Sequence, residues 1–151
     1  MKDCVRLFAP LALLIVLFAG CSTTSNTPTS PSGSTGSLGL TTDQIAGTWS
    51  LASIQPTGQA SQAVPTGATY TLTLADGRVS TRADCNQCSA TFTLSGQTVN
   101  VSEAMACTRA ACATMAFEGA YTSILGGSST ITQSGATLVL TSSRGVLSFT
   151  R

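Results

Sequence analysis

The chain has 151 residues, 42% of them hydrophobic and only 9% charged, with a formal net charge of +1. That length suits one ordinary domain, and the charge fraction is far below the roughly 25% of an average soluble domain. Its few arginines are scattered, which excludes a basic stripe able to track nucleic-acid phosphates.

Residues 1–20 have the layout of a signal peptide. A short charged stretch at 1–6 precedes an apolar run at 7–18, broken only by Pro10, and then the small pair Ala19-Gly20. The apolar run is too short for a comfortable membrane span. Small residues directly before Cys21 look like a lipobox, although Phe18 stands where an aliphatic residue is usual. The expectation is a lipoprotein whose mature chain begins at Cys21. The thiol takes a diacylglyceryl group, the freed amine is acylated, and two or three acyl chains give stable anchoring where one is marginal. Ser22, rather than Asp, follows the cysteine, which points to the outer membrane and a periplasm-facing domain. Loss of Lys2, Arg6 and Asp3 leaves five basic and five acidic residues, with no Lys and no His.

Residues 21–41 form the second unit. Ser, Thr, Gly and Pro dominate it, without charge or apolar pattern, so it reads as a flexible tether. About twenty such residues have a root-mean-square span of about 25 Å, enough to hold a domain clear of lipid headgroups.

The third unit, 42–151, is expected to fold. Thr42-Asp43-Gln44-Ile45 reads as one helical turn capped by Thr42 or Asp43. Trp49 and Leu51 alternate with polar residues as a strand, and 55–67 reads as a loop. Tyr70, Leu72 and Leu74 mark a second strand. Asp76-Gly77 supplies the positive φ angles of a tight hairpin turn before a third strand at 79–83. Two more hairpins follow, around Ser95-Gly96 and Ser134-Gly135, and Arg144-Gly145 turns into a last strand at 146–150. Between them, 111–125 reads as an amphipathic helix with Met115, Tyr121, Ile124 and Leu125 on the core face and Phe117 nearby. The predicted fold class is α+β, predominantly antiparallel β: a small curled or barrel-like sheet of seven to eight strands with one amphipathic helix.

Cys4 leaves with the signal peptide and Cys21 carries lipid. The remaining cysteines are Cys85, Cys88, Cys107 and Cys112. An even number in an exported chain reads as two structural disulfides, with three possible connectivities. A four-cysteine zinc site has compatible spacing but fits poorly with an oxidising compartment. A redox C-x-x-C would need Cys85 at a helix N-terminus, whereas the pattern places it in a turn between strands.

Without His or Lys in the mature chain, the common general bases are missing and Ser-His-Asp or Cys-His arrangements are impossible. Asp76 reads as a turn residue and Glu118 as an exposed helix residue. Asp84 and Glu103 flank the cysteines and are expected to approach Arg109 as an ion pair supporting the Thr108-Arg109 turn. No phosphate-cradling Gly-rich loop is present. The expectation is a protein that is not an enzyme and takes no metal or cofactor.

Asp43-Gln44-Ile45-Ala46-Gly47-Thr48-Trp49 opens the domain, Ala83-Asp84-Cys85-Asn86 follows, and Met105-Ala106-Cys107-Thr108-Arg109-Ala110-Ala111-Cys112 precedes the helix. In that order these elements resemble the META domain, the HslJ-type family of bacterial lipoproteins, over residues 42–151. The resemblance implies a mainly antiparallel β fold with one helix, an envelope location, and a link to envelope stress or drug tolerance. It implies no established catalytic residues. It marks Trp49, Asn86, Thr108 and Arg109 as structural motif positions. Asp84 departs from a family Gly, Cys88 from an aromatic, and Cys107 from a Ser. Because Cys85 and Cys112 match the family and the other two are additions, the resemblance implies Cys85–Cys112 and Cys88–Cys107. Partners expected are the membrane, through acyl chains on Cys21, and an unknown envelope protein. The alternative is a lipocalin-like periplasmic inhibitor or binder of a hydrolase or small apolar ligand.

Overall fold

The computed structural model describes residues 39–151. The expected signal peptide, the expected lipidation site Cys21 and almost all of the expected tether lie outside the described residues. A single helical turn, α1 (Thr42–Ile45), opens the described chain. Its cap is Thr41, one residue earlier than the sequence predicts. The Thr41 hydroxyl accepts from the Gln44 N–H, and the Gln44 side chain accepts from the Thr41 N–H at 2.8 Å, a reciprocal capping box.

Ten strands follow: β1 (Gly47–Pro56), β2 (Gln62–Ala63), β3 (Tyr70–Ala75), β4 (Arg78–Ala83), β5 (Asn86–Ser95), β6 (Thr98–Val101), β7 (Ala106–Cys107), β8 (Gly127–Ser134), β9 (Thr137–Ser142) and β10 (Gly145–Thr150). Helix α2 (Met115–Leu125) intervenes between β7 and β8. Eight strands pair antiparallel in the order β1-β3-β4-β5-β6-β8-β9-β10, and β10 closes back onto β1. The result is an up-and-down barrel in which each main strand pairs with its sequence neighbour. The two-residue strands β2 and β7 extend the ladders of β1 and β5 where β3 and β6 have ended.

Closure removes the exposed edges of an open sheet, and the period-2 alternation sorts side chains in and out. Leu72, Leu74, Val79, Ala83, Ile131, Leu138, Leu140, Leu147 and Phe149 are buried. The outward positions are mostly Ser and Thr, and Thr48 and Thr73 share a hydroxyl–hydroxyl bond of 2.9 Å across β1 and β3. Strand β1 runs into the segment predicted as a loop, because a bulge between Leu51 and Ser53 shifts its phase. The inward set passes from Trp49 and Leu51 to Ile54.

Each end of the barrel is covered. At the end holding the Asp76-Gly77 turn, Trp49 donates its indole N–H to the Ile45 carbonyl at 2.8 Å. The Arg151 guanidinium lies 3.7 Å from the Trp49 ring centroid and donates to the Ala46 carbonyl at 2.9 Å. Gly39 passes against this same end. A Cβ built there would sit 2.5 Å from the Gly96 Cα.

Helix α2 crosses the opposite end. It is shorter than predicted, and its buried stripe is Phe117, Tyr121, Ile124 and Leu125. Met115, predicted for the core, is 61% exposed instead. It lies in the first turn, two residues from Phe117, and that offset turns it off the buried face. Tyr70 packs edge-on against Phe117 and Tyr121, with ring centroids at 5.0 and 5.4 Å. The Tyr121 hydroxyl meets Thr81 at 2.6 Å inside the barrel. Burial pushes the Tyr121 phenol well above its ordinary value, against a smaller opposing effect of the Thr81 hydrogen bond.

Candidate functional site

The sequence-predicted residues of the cysteine region converge at the α2 end, around the start of β5. Asp84 and Cys85 form the turn from β4, and Asp84 sits at φ 57°. That is the left-handed region for which glycine is the usual solution and Asp is tolerated. Cys85 is bonded to Cys112, and Cys88 to Cys107, with Cα–Cα separations of 5.7 and 4.0 Å. Cys88 lies inside β5 and not in a turn. It stands directly opposite Cys107 of β7.

Asn86 lies between the two bridges and is 2% exposed. Its Oδ1 accepts from the Ala110 N–H at 2.7 Å and from the Thr108 hydroxyl at 2.9 Å. Its Nδ2 donates to the Ala110 carbonyl at 3.0 Å and is shared between both Glu118 carboxylate oxygens at 3.0 Å. One buried amide thus reads both backbone groups of a single residue, with donors and acceptors all satisfied. Thr108 extends the β5–β7 ladder with its side chain. The Thr108 N–H donates to the Gln87 carbonyl at 2.9 Å, and the Thr108 hydroxyl accepts the Gln87 N–H at 2.9 Å.

The segment between β6 and α2 is therefore held by hydrogen bonds and disulfides. Its residues from Ser102 to Thr114 are all exposed or half-buried. At its far end Thr114 donates to the Asp84 carboxylate at 2.7 Å and meets the Tyr70 hydroxyl at 2.7 Å.

The family model of the META domain matches residues 42–151. The chain belongs to the META domain family. Two solved structures are similar to it. One is the NMR structure of a protein from Burkholderia xenovorans, with a TM-score of 0.60 at 24% identity, covering 73% of this chain and 85% of that one. The other is an NMR structure with a TM-score of 0.59 at 18% identity, covering 74% of this chain and 94% of that one. At such identities they show the fold alone. No curated protein matches the sequence.

Within this META domain the four motif positions separate. Asn86, Thr108 and Arg109 gather at the α2 end. Trp49 belongs to the core at the opposite end and has no part in the site. The predicted ion pair at Arg109 does not form. Glu103 instead pairs with Arg144 at 3.0 Å, and Arg144 also donates to the Gly126 carbonyl at the end of α2. Asp84 is occupied by Thr114. Glu118, predicted to be solvated, is half-buried and turned onto Asn86. These partners lie 30 to 41 positions apart in the chain, and the tertiary fold brings them together. Thr114 and the Ala110 backbone were not legible as site elements; the one available hint was a Thr directly before the helix.

Beside this hub lies an open groove of about 360 Å³, lined by Asn86, Cys107, Thr108, Arg109, Ala111 and Met115 among others. A second depression of about 320 Å³ lies on the Ser/Thr-rich outer face of β3, β4 and β5. Among the described residues, no group of His, Cys, Asp and Glu is placed to hold a metal ion.

Proposed function

We propose that this META-domain protein is a non-enzymatic cell-envelope lipoprotein. It is anchored through acyl chains on Cys21 in the outer membrane and faces the periplasm, where it presents a rigid barrel to envelope partners, with a role in envelope stress or drug tolerance. The observation that carries this reading is the pair of nested disulfides around Asn86. They fix a surface segment that has no buried residue of its own, and such bridges persist only in an oxidising compartment. The signal-peptide layout before Cys21 supports the same compartment.

The barrel interior argues for a scaffold over a carrier. Trp49, Tyr121, Phe149 and the surrounding aliphatic side chains fill it to near-zero exposure. This packing weighs against the alternative of a lipocalin-like protein holding a small apolar ligand inside its barrel.

The test is labelling with a radioactive fatty acid in cells expressing the full chain or its Cys21→Ala variant, followed by membrane fractionation. Labelling of the parent and loss in the variant is expected. Equal labelling of both overturns the anchor. Thiol titration of protein taken directly from the envelope should find Cys85, Cys88, Cys107 and Cys112 blocked; four free thiols overturn the compartment.

A further inference from the structure

The groove beside Asn86 combines three features. The first is Arg109. Arg82, Arg144 and Arg151 are engaged by carbonyl or carboxylate oxygens, whereas among the described residues Arg78 and Arg109 have no side-chain partner, and of these two Arg109 lines the groove. Glu118 lines the same groove, but its two oxygens accept from Asn86 and it forms no salt bridge with Arg109. The second is Met115, the large hydrophobic side chain that is strongly exposed among the described residues. The third is a short backbone edge. Since the Thr108 N–H bonds to Gln87, alternation along the antiparallel ladder makes Cys88 and Cys107 a non-hydrogen-bonded pair. The N–H and carbonyl of Cys107 therefore point away from β5, and among the described residues β7 has no strand on that side.

An unpaired guanidinium, an exposed thioether and a free strand edge match an extended peptide. We propose that this groove docks a segment of a partner protein in which an apolar residue stands next to a carboxylate. The peptide backbone pairs with Cys107, the carboxylate meets Arg109, and the apolar side chain covers Met115. Arg and Met are enriched where interfaces concentrate their energy, and a free strand edge is a common receptor for extended peptides. The disulfides and Asn86 pre-organise the loop, which removes an ordering cost from binding. The chain's own residues 22–38 contain no carboxylate side chain, and Gly39 enters the barrel at the opposite end, so the tether does not match the site. This inference rests on the presenting role proposed above and names the partner chemistry.

The test uses the oxidised full chain in neutral detergent. Two probes are compared by fluorescence anisotropy: a labelled peptide alternating leucine and glutamate, and its counterpart with glutamine for glutamate. Tighter binding of the acidic probe is expected, with a loss of about tenfold for the glutamine probe, for Arg109→Gln, and for Met115→Ser. Binding should weaken in molar salt and after reduction of the disulfides. Amide shifts on titration should centre on Cys107 to Ala111 and Met115. Equal affinity for both probes, an unchanged Arg109→Gln, or shifts elsewhere on the barrel overturns the proposal. So does displacement of the probe by anionic phospholipid added as mixed micelles with the same detergent, or by self-association through the groove. A probe recovered cleaved would refute the non-enzymatic reading while leaving the docking site standing.

Discussion

The side-chain amide of Asn86 pairs with Ala110 as a peptide would, accepting from its N–H at 2.7 Å and donating to its carbonyl at 3.0 Å. Asn86→Ala removes both bonds together with those to Thr108 and Glu118, and leaves several groups in a half-buried site without partners. Each unpaired buried group is worth about 1–3 kcal/mol. We expect a loss of about 3 kcal/mol, read from the urea midpoint at unchanged m-value. Asn86→Asp should lose at least as much, since a carboxylate cannot donate to Ala110 and faces Glu118. A midpoint within error of the parent for either variant would refute the role assigned to Asn86.

The nesting of the bridges gives a second expectation. The sequence separations are 27 residues for the outer bridge and 19 for the inner. With the inner bridge closed, the ring closed by the outer one shrinks to about nine residues, so in the chain-entropy model it adds about 2.5 kcal/mol, against about 3.5 kcal/mol when it acts alone. A double-mutant cycle of Cys85→Ser/Cys112→Ser and Cys88→Ser/Cys107→Ser should therefore show a coupling of about 1 kcal/mol. Strict additivity would contradict it. Peptide mapping without reduction should recover fragments joined at Cys85–Cys112 and at Cys88–Cys107.

Local chemistry made part of this architecture legible in the sequence. Asp76-Gly77 reads as a tight hairpin because both residues must take positive φ, and they do, at 50° and 69°. Tyr70, Leu72 and Leu74 alternate without interruption, so β3 was readable. The start of β1 was readable from Trp49 and Leu51, but its continuation to Pro56 was not, because the bulge between Leu51 and Ser53 breaks the period that the reading depends on. The helix was read from apolar spacing, but spacing alone did not choose between Met115 and Phe117 for the buried face. The site was less legible for a different reason. Asn86 recognises the backbone of Ala110, which has no sequence signature, and Glu103 finds Arg144 41 positions away. The β5–β7 pairing and the disulfides set the first of those meetings, and the tertiary fold sets the second.

Tyr121 predicts an alkaline limit to stability. Burial holds its phenol protonated in the folded chain above the ordinary value of 10.0, and burial also raises Tyr70. The unfolded chain releases these protons from about pH 10 upward while the folded chain retains them. The folded state then binds more protons, so unfolding becomes easier as pH rises. The stabilisation is fully present below pH 10 and lost between there and the folded values, at about 1.4 kcal/mol per pH unit for each tyrosine. Urea midpoints from pH 8 to 11 should be flat and then fall, and Tyr121→Phe should remove its share of the fall. A variant with the parent's slope would show that Tyr121 does not set it.

Gly145 begins β10 where it crosses β1 beside Pro56, at φ 149°. A Cβ there would strike the Gln55 carbonyl oxygen, lie 2.9 Å from the Pro56 Cα, and press on Ile124 at 3.0 Å. Two of these neighbours are backbone atoms of the strand that closes the barrel and do not yield without disturbing closure; the third is the terminal methyl of Ile124 on the helix across its end. Gly58 also has positive φ, at 78°, but a Cβ there meets nothing within 4 Å. Gly58→Ala therefore isolates the conformational strain, about 1 kcal/mol. Gly145→Ala adds overpacking to that strain and should lose about 3 kcal/mol. Equal losses for the two variants would mean that β10 gives way at Gly145, and that the contact of Gly145 with β1 and Ile124 does not fix the barrel seam.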